Sequence, residues 1–566
     1  MRKRVLVGAF VAALSLAVPA AATAATESLV TNGSPTTPFP RNKQNEPAVA
    51  VDPLDPSVVV AGANEEIDLA PCAGSSCPFT PGVGTSGLYF SFDGGASWSQ
   101  PTYQGYSART GTPGPGPIGT LPNYYENGLV SDGDPGVAFG PAPGPGGFSW
   151  DNGARLYYSN LASNFATVRQ EDAFKGFEAI AVSHADDLAA AANNDATAWS
   201  QPTIVTEERQ SQTTFSDKPS TSVDNAASSP NFGNVYVCYS RFNSQQVDGP
   251  VTIGFSRSTD GGDTFSRPVG ISSASKGPGH VGRQGCAVAT DSTGTVYVVW
   301  EDHLQKSSVF DLATSTDGGQ SFGPPRVVAQ VGDVGADDGT DQFSFDGVAG
   351  ARTSSFPSLS IANGAPSGDT PGHPAPNTLA LGWSDGSAGL NHEHALVQLS
   401  GDSGTSWTSP TAVEQSGDRP DFAFLAISPD GKDLYVVYDG FSDPWRTTTS
   451  GRRRFVGVLR HADVSGTALS NLATLDRGRV GDARGASANV LDDEFIGDYN
   501  TVSATDGGAV AVFNDARNAA VCGPINDYRQ SLVDGNPITK PAPATDCPAT
   551  FGNTDIDSAA ASDPTP

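Results

Sequence analysis

The stretch Ser91-Phe-Asp-Gly-Gly-Ala-Ser-Trp98 recurs three more times, with small changes, in this chain of 566 residues. The other copies are Ser258-Thr-Asp-Gly-Gly-Asp-Thr-Phe265, Ser315-Thr-Asp-Gly-Gly-Gln-Ser-Phe322 and Ser400-Gly-Asp-Ser-Gly-Thr-Ser-Trp407. The Asp side chain can accept hydrogen bonds from the backbone amides of a tight turn, and the Gly residues allow positive φ. The closing Trp or Phe is expected to pack between sheets. A local signature repeated in this way predicts a repeated structural unit.

A longer pattern surrounds these turns. A polar residue, often followed by Pro, precedes an alternating apolar strand, a turn and an aromatic-rich strand. Seven units follow this pattern, and they begin near Glu46, Asp134, Lys218, Gly285, Phe356, Arg419 and Asp498. Helical periodicity is confined to residues 172–192. The pattern predicts an all-β chain folded as a β-propeller, with seven blades favoured. Six blades are the alternative, if one unit is an elaboration or if the terminal segments complete a single sheet.

The ends of the chain differ from this repeated region. Residues 1–24 have the pattern of a secretory signal peptide, with Arg2-Lys3-Arg4 before an apolar run and Ala22-Thr23-Ala24 as a cleavage site. Residues 25–44 form a lead-in, residues 45–535 the propeller, and residues 536–566 a tail rich in Pro, Ala and Asp that is expected to be disordered. No later apolar stretch is long enough for a membrane helix. We therefore expect a secreted, extracellular protein without a membrane anchor.

Charge and cysteine content restrict the partners and the redox compartment. The formal net charge is −29, which argues against binding to nucleic acid or to anionic membranes. Six cysteines in an exported chain predict disulfides. Cys72 is expected to pair with Cys77 and Cys522 with Cys547, whereas Cys238 and Cys286 could pair or remain buried thiols.

The repeated Ser-x-Asp-x-Gly-x-Thr/Ser-Trp/Phe turn resembles the Asp-box, or bacterial neuraminidase repeat, of the sialidase superfamily. The likeness covers about residues 45–530. It implies a propeller that acts on extracellular glycans, as an exo-α-sialidase or a related exo-glycosidase. The alternative is a non-catalytic propeller that binds glycans or protein and has lost the arginine triad, since Asn45 stands where the family has its first arginine.

The resemblance also implies roles for particular residues. Sialidases use a Tyr nucleophile assisted by a Glu, an Asp acid/base and an arginine triad that holds the substrate carboxylate. The corresponding hypothesis makes Tyr499 the nucleophile, Glu301 its base and Asp134 the acid/base. The substrate-binding candidates are Arg283, Arg419 and Arg517.

In a propeller, the residues that enter the inner strands and leave the second strands converge on one face of the channel. Entry positions are Glu46, Asp134, Lys218, Arg283, Arg419 and Asp498, and exit positions are Glu65, Arg241, Glu301, Asp302, Asp385, Asp439, Asp515 and Arg517. Such a ring could bind polar ligands, or its groups could pair with one another and close the channel.

No cofactor is predicted, although an acidic loop could bind structural Ca²⁺ through its carboxylates. Its residues are Asp333, Asp337, Asp338, Asp341 and Asp346. A solvated acidic loop is the alternative.

Overall fold

The computed structural model describes residues 25–32, 44–70, 72, 74–165, 173–206, 214–242, 251–272, 280–304, 307–339, 343–368, 370–372 and 374–565. The predicted signal peptide lies outside these residues. Seven antiparallel sheets form the blades of a β-propeller, and consecutive strands of a blade are neighbours in its sheet. The innermost strands of successive blades contact one another, and that of blade 7 contacts that of blade 1, which closes the ring. The predicted seven-bladed fold is confirmed.

The blades are numbered here in chain order, and their strands are given from the channel outward. The first four blades consist of Gln44–Val51, Val59–Glu65 and Ser86–Ser91 (blade 1); Gly136–Gly144, Gly147–Asn164, Ala179–Ala185 and Thr203–Ile204 (blade 2); Phe215–Val223, Val235–Phe242, Val251–Ser258 and Val269–Gly270 (blade 3); and His280–Thr290, Val296–Leu304, Ser307–Ser315 and Arg326–Val331 (blade 4). The remaining blades consist of Ser358–Ile361, Leu379–Asp385, His394–Ser400 and Thr411–Ala412 (blade 5); Arg419–Ile427, Asp433–Phe441, Arg454–Ser465 and Ala468–Arg477 (blade 6); and Thr501–Thr505, Gly508–Asp515, Asp555–Ser562 and Thr26–Leu29 (blade 7).

Elements outside the blades are short. The additional strands are Tyr103–Ser107, Gly114–Ile118, Leu129–Ser131, Ala336–Asp337, Phe343–Ser344 and Gly481–Asp482. The α-helices are Leu188–Ala192, Gly523–Val533 and Pro543–Asp546, and the 3₁₀ turns are Tyr125–Asn127, Ala196–Ala198 and Ala483–Gly485. The helical expectation for residues 172–192 is wrong for most of that span, because Ala179–Ala185 is a strand of blade 2. The helix Gly523–Val533 was not predicted.

Blade 7 combines strands from near both ends of the described residues. Strand Asp555–Ser562 pairs with Gly508–Asp515 on one side, and the N-terminal strand Thr26–Leu29 pairs with its other edge. The expectation of a disordered tail is therefore wrong for this segment, because Asp555–Ser562 is a strand that pairs along both of its edges within the sheet of blade 7. Two segments from opposite ends of the described residues are thus held together in one blade, which protects the sheet edges of the ring.

Each interface between neighbouring blades has its own apolar core. Seven buried clusters correspond to the seven interfaces, such as Val49, Val59 and Val512 between blades 7 and 1. The aromatic residues that close the repeated turns pack at these interfaces, as predicted. Trp98 belongs to the cluster between blades 7 and 1, and Phe265 packs against the cluster between blades 2 and 3. Blade-to-blade burial of apolar side chains therefore holds the ring.

Three disulfides stabilise the fold, and the expected pairs Cys72–Cys77 and Cys522–Cys547 are confirmed. Cys238 of blade 3 pairs with Cys286 of blade 4, which selects the disulfide over buried thiols. No helix in the described part of the chain is long and apolar enough to cross a membrane.

Candidate active site

A cavity of about 1250 Å³ opens at the face of the propeller where the inner strands begin. Its lining is strongly acidic, with Glu46, Glu66, Asp132, Asp134, Glu178, Asp217, Glu301, Asp333, Asp492, Asp493 and Asp498. Among the described residues that line it, the basic side chains are Lys218, Arg352 and His303. Phe215, Phe356 and Phe495 add apolar faces. Fold and site together define a seven-bladed β-propeller with an acid-rich cavity at the face where its inner strands begin.

An unusual backbone conformation places side chains on the cavity floor. Glu46, Asp134 and Lys218 have φ values of 54°, 50° and 51°, and each precedes a proline. Residues with a Cβ atom adopt this left-handed region at a cost of roughly 1–2 kcal/mol, so the surrounding sheet must hold them there. The same φ recurs in blade 4 at Gly285 and in blade 6 at Phe422. In blades 1, 3, 4 and 6 the pairing of the innermost strand shifts register at this position, as at a β-bulge.

Lys218, Arg352 and Asp498 form an ion cluster at the centre of this floor. Lys218 Nζ lies 2.5 Å from Asp498 Oδ2, and Arg352 donates to both oxygens of the same carboxylate at 2.8 and 2.6 Å. Burial alone would raise the pKa of Asp498, but Arg352 and Lys218 outweigh it and hold that pKa below its ordinary range. Asp498 is therefore an ionised carboxylate.

Glu46 and Asp134 form a carboxyl pair beside the ion cluster. Asn64 donates to Glu46 Oε2 at 2.6 Å, and its own Oδ1 accepts from the backbone N–H of Asp134 at 2.8 Å. Burial raises the pKa of Asp134 well above its ordinary value, and the nearby carboxylate of Glu46 adds to the shift. The pKa of Asp134 is thus raised on the same floor where that of Asp498 is lowered.

Two further acidic residues, Asp132 and Glu178, lie on the cavity wall next to blades 2 and 3. Burial raises the pKa of Asp132 to about 6. Burial also raises the pKa of Glu178 well above its ordinary value, with the charges of Asp132 and Asp217 contributing. The wall therefore carries carboxyl groups that can hold protons near neutral pH.

The structure places Tyr499 below the cavity floor. It lines a separate space of about 200 Å³ within the channel, between inner strands, and Lys218 and Phe356 line both spaces. Its ring centroid is 5.8 Å from Lys218 Nζ. Burial, together with the charges of Asp134 and Glu46, raises the pKa of the Tyr499 phenol well above its usual value. A phenol in this environment is poorly suited to act as a nucleophile.

The three candidate arginines do not come together. Arg283 Nε lies 3.1 Å from Asp302 Oδ2. Arg419 forms a bidentate pair with Glu393 at 2.8 and 2.9 Å. Arg517 pairs with three carboxylates, which are those of Glu27, Asp515 and Asp557. None of the three arginines lines the described cavity, so the expected carboxylate clamp is wrong.

Of the other predicted positions, Glu301 lines the cavity wall, where its carboxylate approaches His303. Burial raises the pKa of Glu301 well above its ordinary value, and Asp333 adds to the shift. The exit residue Glu65 lies outside the cavity lining and accepts hydrogen bonds from Gln44 and Tyr89. The exit positions therefore contribute less to the cavity than the entry positions do.

The acidic loop does not gather its carboxylates. Asp338 Oδ2 accepts from the backbone N–H of Ala349, and Asp346 Oδ1 from that of Ala351. Asp337 accepts from Gly339 N–H, and Asp341 lies outside the described residues. The carboxylates of Asp337, Asp338 and Asp346 thus accept hydrogen bonds from backbone amides of the loop, but Asp338 and Asp346 are buried, which differs from a solvated acidic loop.

Sequence reasoning missed Arg352, the main partner of Asp498. It lies in the insertion between blades 4 and 5, where no repeated pattern marks the side chains that reach the channel. Asp217 was missed although it directly precedes the entry residue Lys218. That position could have been found by examining both neighbours of each entry residue.

No family model matches the chain, and no curated protein matches it. The structure is similar to a Hadza microbial sialidase, with 13% identity over 69% of this chain and 64% of that one, at a TM-score of 0.39. It is also similar to a Penicillium chrysogenum α-L-arabinanase complexed with arabinobiose, with 13% identity over 81% of this chain and 99% of that one, at a TM-score of 0.40. For an ulvan lyase of polysaccharide lyase family PL25, the identity is 8% over 84% of this chain and 92% of that one, at a TM-score of 0.39. Likeness at this level carries no argument about the activity of this chain.

Proposed function

We propose that the protein is a secreted glycoside hydrolase that takes a neutral sugar unit into the cavity. The observation that carries the proposal is the contrast between Asp134 and Asp498. The environment of Asp134 raises the pKa of its carboxyl group and that of Asp498 lowers the pKa of its own, on the same cavity floor. A buried carboxyl group whose pKa is raised in this way is suited to donate a proton, which is the role proposed here for Asp134. The three disulfides support an extracellular location, since disulfides persist in oxidising environments.

In the proposed reaction Asp134 donates its proton to the glycosidic oxygen as the bond to the anomeric carbon breaks. Positive charge then develops on the sugar ring, and the carboxylates of the cavity that remain ionised stabilise it. Asp217, which lines the same cavity, is the proposed second carboxyl group and would take a proton from the attacking water. Asp498 is a poor choice for that role, because both of its oxygens accept hydrogen bonds from Arg352.

The charge of the cavity supports a neutral substrate. A sialoside carries a carboxylate, and holding it would require cations that are free to pair with it. Lys218 and Arg352 both contact Asp498, and His303 lies 3.7 Å from Glu301. The apolar faces of Phe215, Phe356 and Phe495 offer surfaces against which a sugar ring could pack. We therefore propose a neutral sugar in place of the sialic acid implied by the resemblance.

The test is a panel of fluorogenic glycosides that includes neutral pentosides, neutral hexosides and a sialoside. We expect wild-type protein to release the fluorophore from at least one neutral glycoside, and Asp134→Asn to reduce kcat by about 100-fold or more. Asp527→Asn, an exposed acid on the helix Gly523–Val533, is the matched control and should retain full activity. Turnover of the sialoside alone would contradict the neutral-substrate proposal. Full activity of Asp134→Asn would contradict its catalytic role.

Glycan binding without hydrolysis is a second candidate, and the closed ion cluster of Lys218, Arg352 and Asp498 favours it. In that case the ion cluster only stabilises the contact between blades, and the cavity binds a ligand without cleaving it. Calorimetric binding of neutral oligosaccharides, combined with no turnover by wild-type protein across the panel, would select this function.

A further inference from the structure

Three potential metal ligands lie on the blade 4 side of the cavity. Glu301 and His303 are separated by one residue on strand Val296–Leu304, so both side chains project from the same face of the sheet. Asp333 follows the outermost strand of the same blade, Arg326–Val331. All three residues line the cavity, and one ligand atom from each lies within 4.8 Å of the others. Blade 4 and the segment that follows it thus bring two carboxylates and one imidazole close together.

Glu301 is the unusual member of this group. It is 1% exposed, and neither of its carboxylate oxygens has a hydrogen-bond partner in the described part of the chain. A buried polar group without a partner costs roughly 1–3 kcal/mol, and more for a charged group. The group that comes closest to being a partner is the imidazole of His303, whose Nδ1 lies 3.7 Å from Glu301 Oε1. Among the described residues, the carboxylate of Glu301 therefore lies close to His303 and Asp333 without a well-formed hydrogen bond to a protein donor.

The neighbours of Glu301 are suited to share a cation with it. His303 is partly open to the cavity, with its side chain 33% exposed, and Asp333 is exposed. Ser308 Oγ lies 3.2 Å from His303 Nδ1, the ring nitrogen nearest Glu301, so an ion bound through Nδ1 would replace this contact and one bound through Nε2 would keep it. Because the cluster lies on a cavity wall, water can complete the coordination of an ion there.

We propose that Glu301, His303 and Asp333 bind a divalent transition-metal ion such as Zn²⁺ or Mn²⁺. Mixed carboxylate and imidazole ligands suit such ions, whereas Ca²⁺ and Mg²⁺ prefer oxygen ligands throughout. A bound cation would satisfy both buried oxygens of Glu301. This site is separate from the floor residues Asp134 and Asp498 and does not depend on the proposed hydrolase activity.

The experiment measures metal binding by the full mature chain after chelator treatment and dialysis. Titration calorimetry with ZnCl₂ and MnCl₂ should detect a site that Glu301→Gln and Asp333→Asn each weaken by about 100-fold. CaCl₂ should bind more weakly than either ion. Since Asp333 is exposed, Asp333→Asn is expected to fold normally even if Glu301→Gln does not, and circular dichroism checks both variants.

A second cluster, Asp433, His461 and Asp563, makes a matched control necessary. Asp563→Asn should leave the proposed site intact, and so should Asp337→Asn, which changes an exposed acid near Asp333. If wild-type protein binds neither Zn²⁺ nor Mn²⁺, the proposal is overturned, and a proton shared between Glu301 and Asp333 would explain the buried carboxylate. Unchanged binding in both Glu301→Gln and Asp333→Asn would also overturn it.

Discussion

Lys218 of blade 3 contacts Asp498 at the start of blade 7, with 2.5 Å between Nζ and Oδ2. The two residues are far apart in the chain, and the ring closure brings them together across the channel mouth. Arg352, from the insertion before blade 5, binds the same carboxylate. This three-residue contact connects the cavity floor to three separate parts of the ring.

Replacing Lys218 with Met should destabilise the protein by roughly 3 kcal/mol. The change removes one partner of a buried ion pair, and the remaining charge is then only partly compensated. The Lys218 side chain is 12% exposed, so solvent cannot replace the lost contact. Denaturant unfolding measures the effect, with Lys432→Met as the control. Lys432 pairs with Asp430 at 2.6 Å but is 75% exposed, and its loss should cost less than about 1 kcal/mol. Equal losses in both variants would contradict a structural role for the floor cluster.

Glu65 should make the protein less stable as the pH rises. Burial raises its pKa from 4.5 to about 7. The folded protein keeps Glu65 protonated in this range while the unfolded chain ionises it, so raising the pH favours unfolding. The shift corresponds to about 3 kcal/mol lost between pH 4.5 and pH 8. Glu65→Gln should remove this part of the pH dependence, whereas the exposed control Asp527→Asn should not. A Glu65→Gln protein with the same pH slope as wild type would be the contrary result.

The repeated turns should contribute stability without affecting ligand binding. Asp260 accepts hydrogen bonds from Ser258 Oγ at 2.7 Å and from the backbone N–H of Thr264 at 3.0 Å. Asp402 makes equivalent bonds to Ser400 and Ser406 in the fourth copy. Asp260→Ala and Asp402→Ala should therefore each lower the free energy of unfolding by about 1–3 kcal/mol. Calorimetric melting and glycan binding are the measurements. An unchanged melting temperature combined with lost binding would refute the structural role.

A chain that ends at residue 554 should fail to fold. It lacks Asp555–Ser562, which leaves the edge of Gly508–Asp515 unpaired and Thr26–Leu29 without a partner. Exposed sheet edges promote aggregation. A chain that ends at residue 563 keeps the strand and should melt at the wild-type temperature. If the shorter chain were monomeric and equally stable, the closure of blade 7 would not matter to the fold.

The local chemistry of the chain explains why the fold could be predicted. Turn residues such as Asp260 act within a few positions of themselves, so their pattern is visible in the sequence. The floor residues Glu46, Asp134, Lys218 and Asp498 were found because the repeat places each at the start of a unit. Strand Asp555–Ser562 was missed, since its pairing partners are distant in the chain and its composition resembles that of a disordered tail.

The sequence assigned Arg283 and Arg419 to the entry position of their blades, but the strand register places other residues there. In blade 4 the left-handed entry residue is Gly285, and in blade 6 it is Phe422. Arg283 and Arg419 lie two and three residues earlier. Gln284, next to Arg283, is the residue that lines the cavity. A shift of one residue moves a strand side chain to the opposite face, and the bulge that sets the register is not visible in the repeat.

The pH dependence of kcat for a neutral glycoside tests the central claim most directly. If Asp134 is the proton donor, kcat should fall about tenfold per pH unit above its raised pKa, and the fall should begin above the ordinary range of an aspartic acid. Asp134→Asn should remove most of the activity along with this alkaline limb. An Asp134→Asn protein that keeps both the rate and the pH profile of wild type would contradict the account.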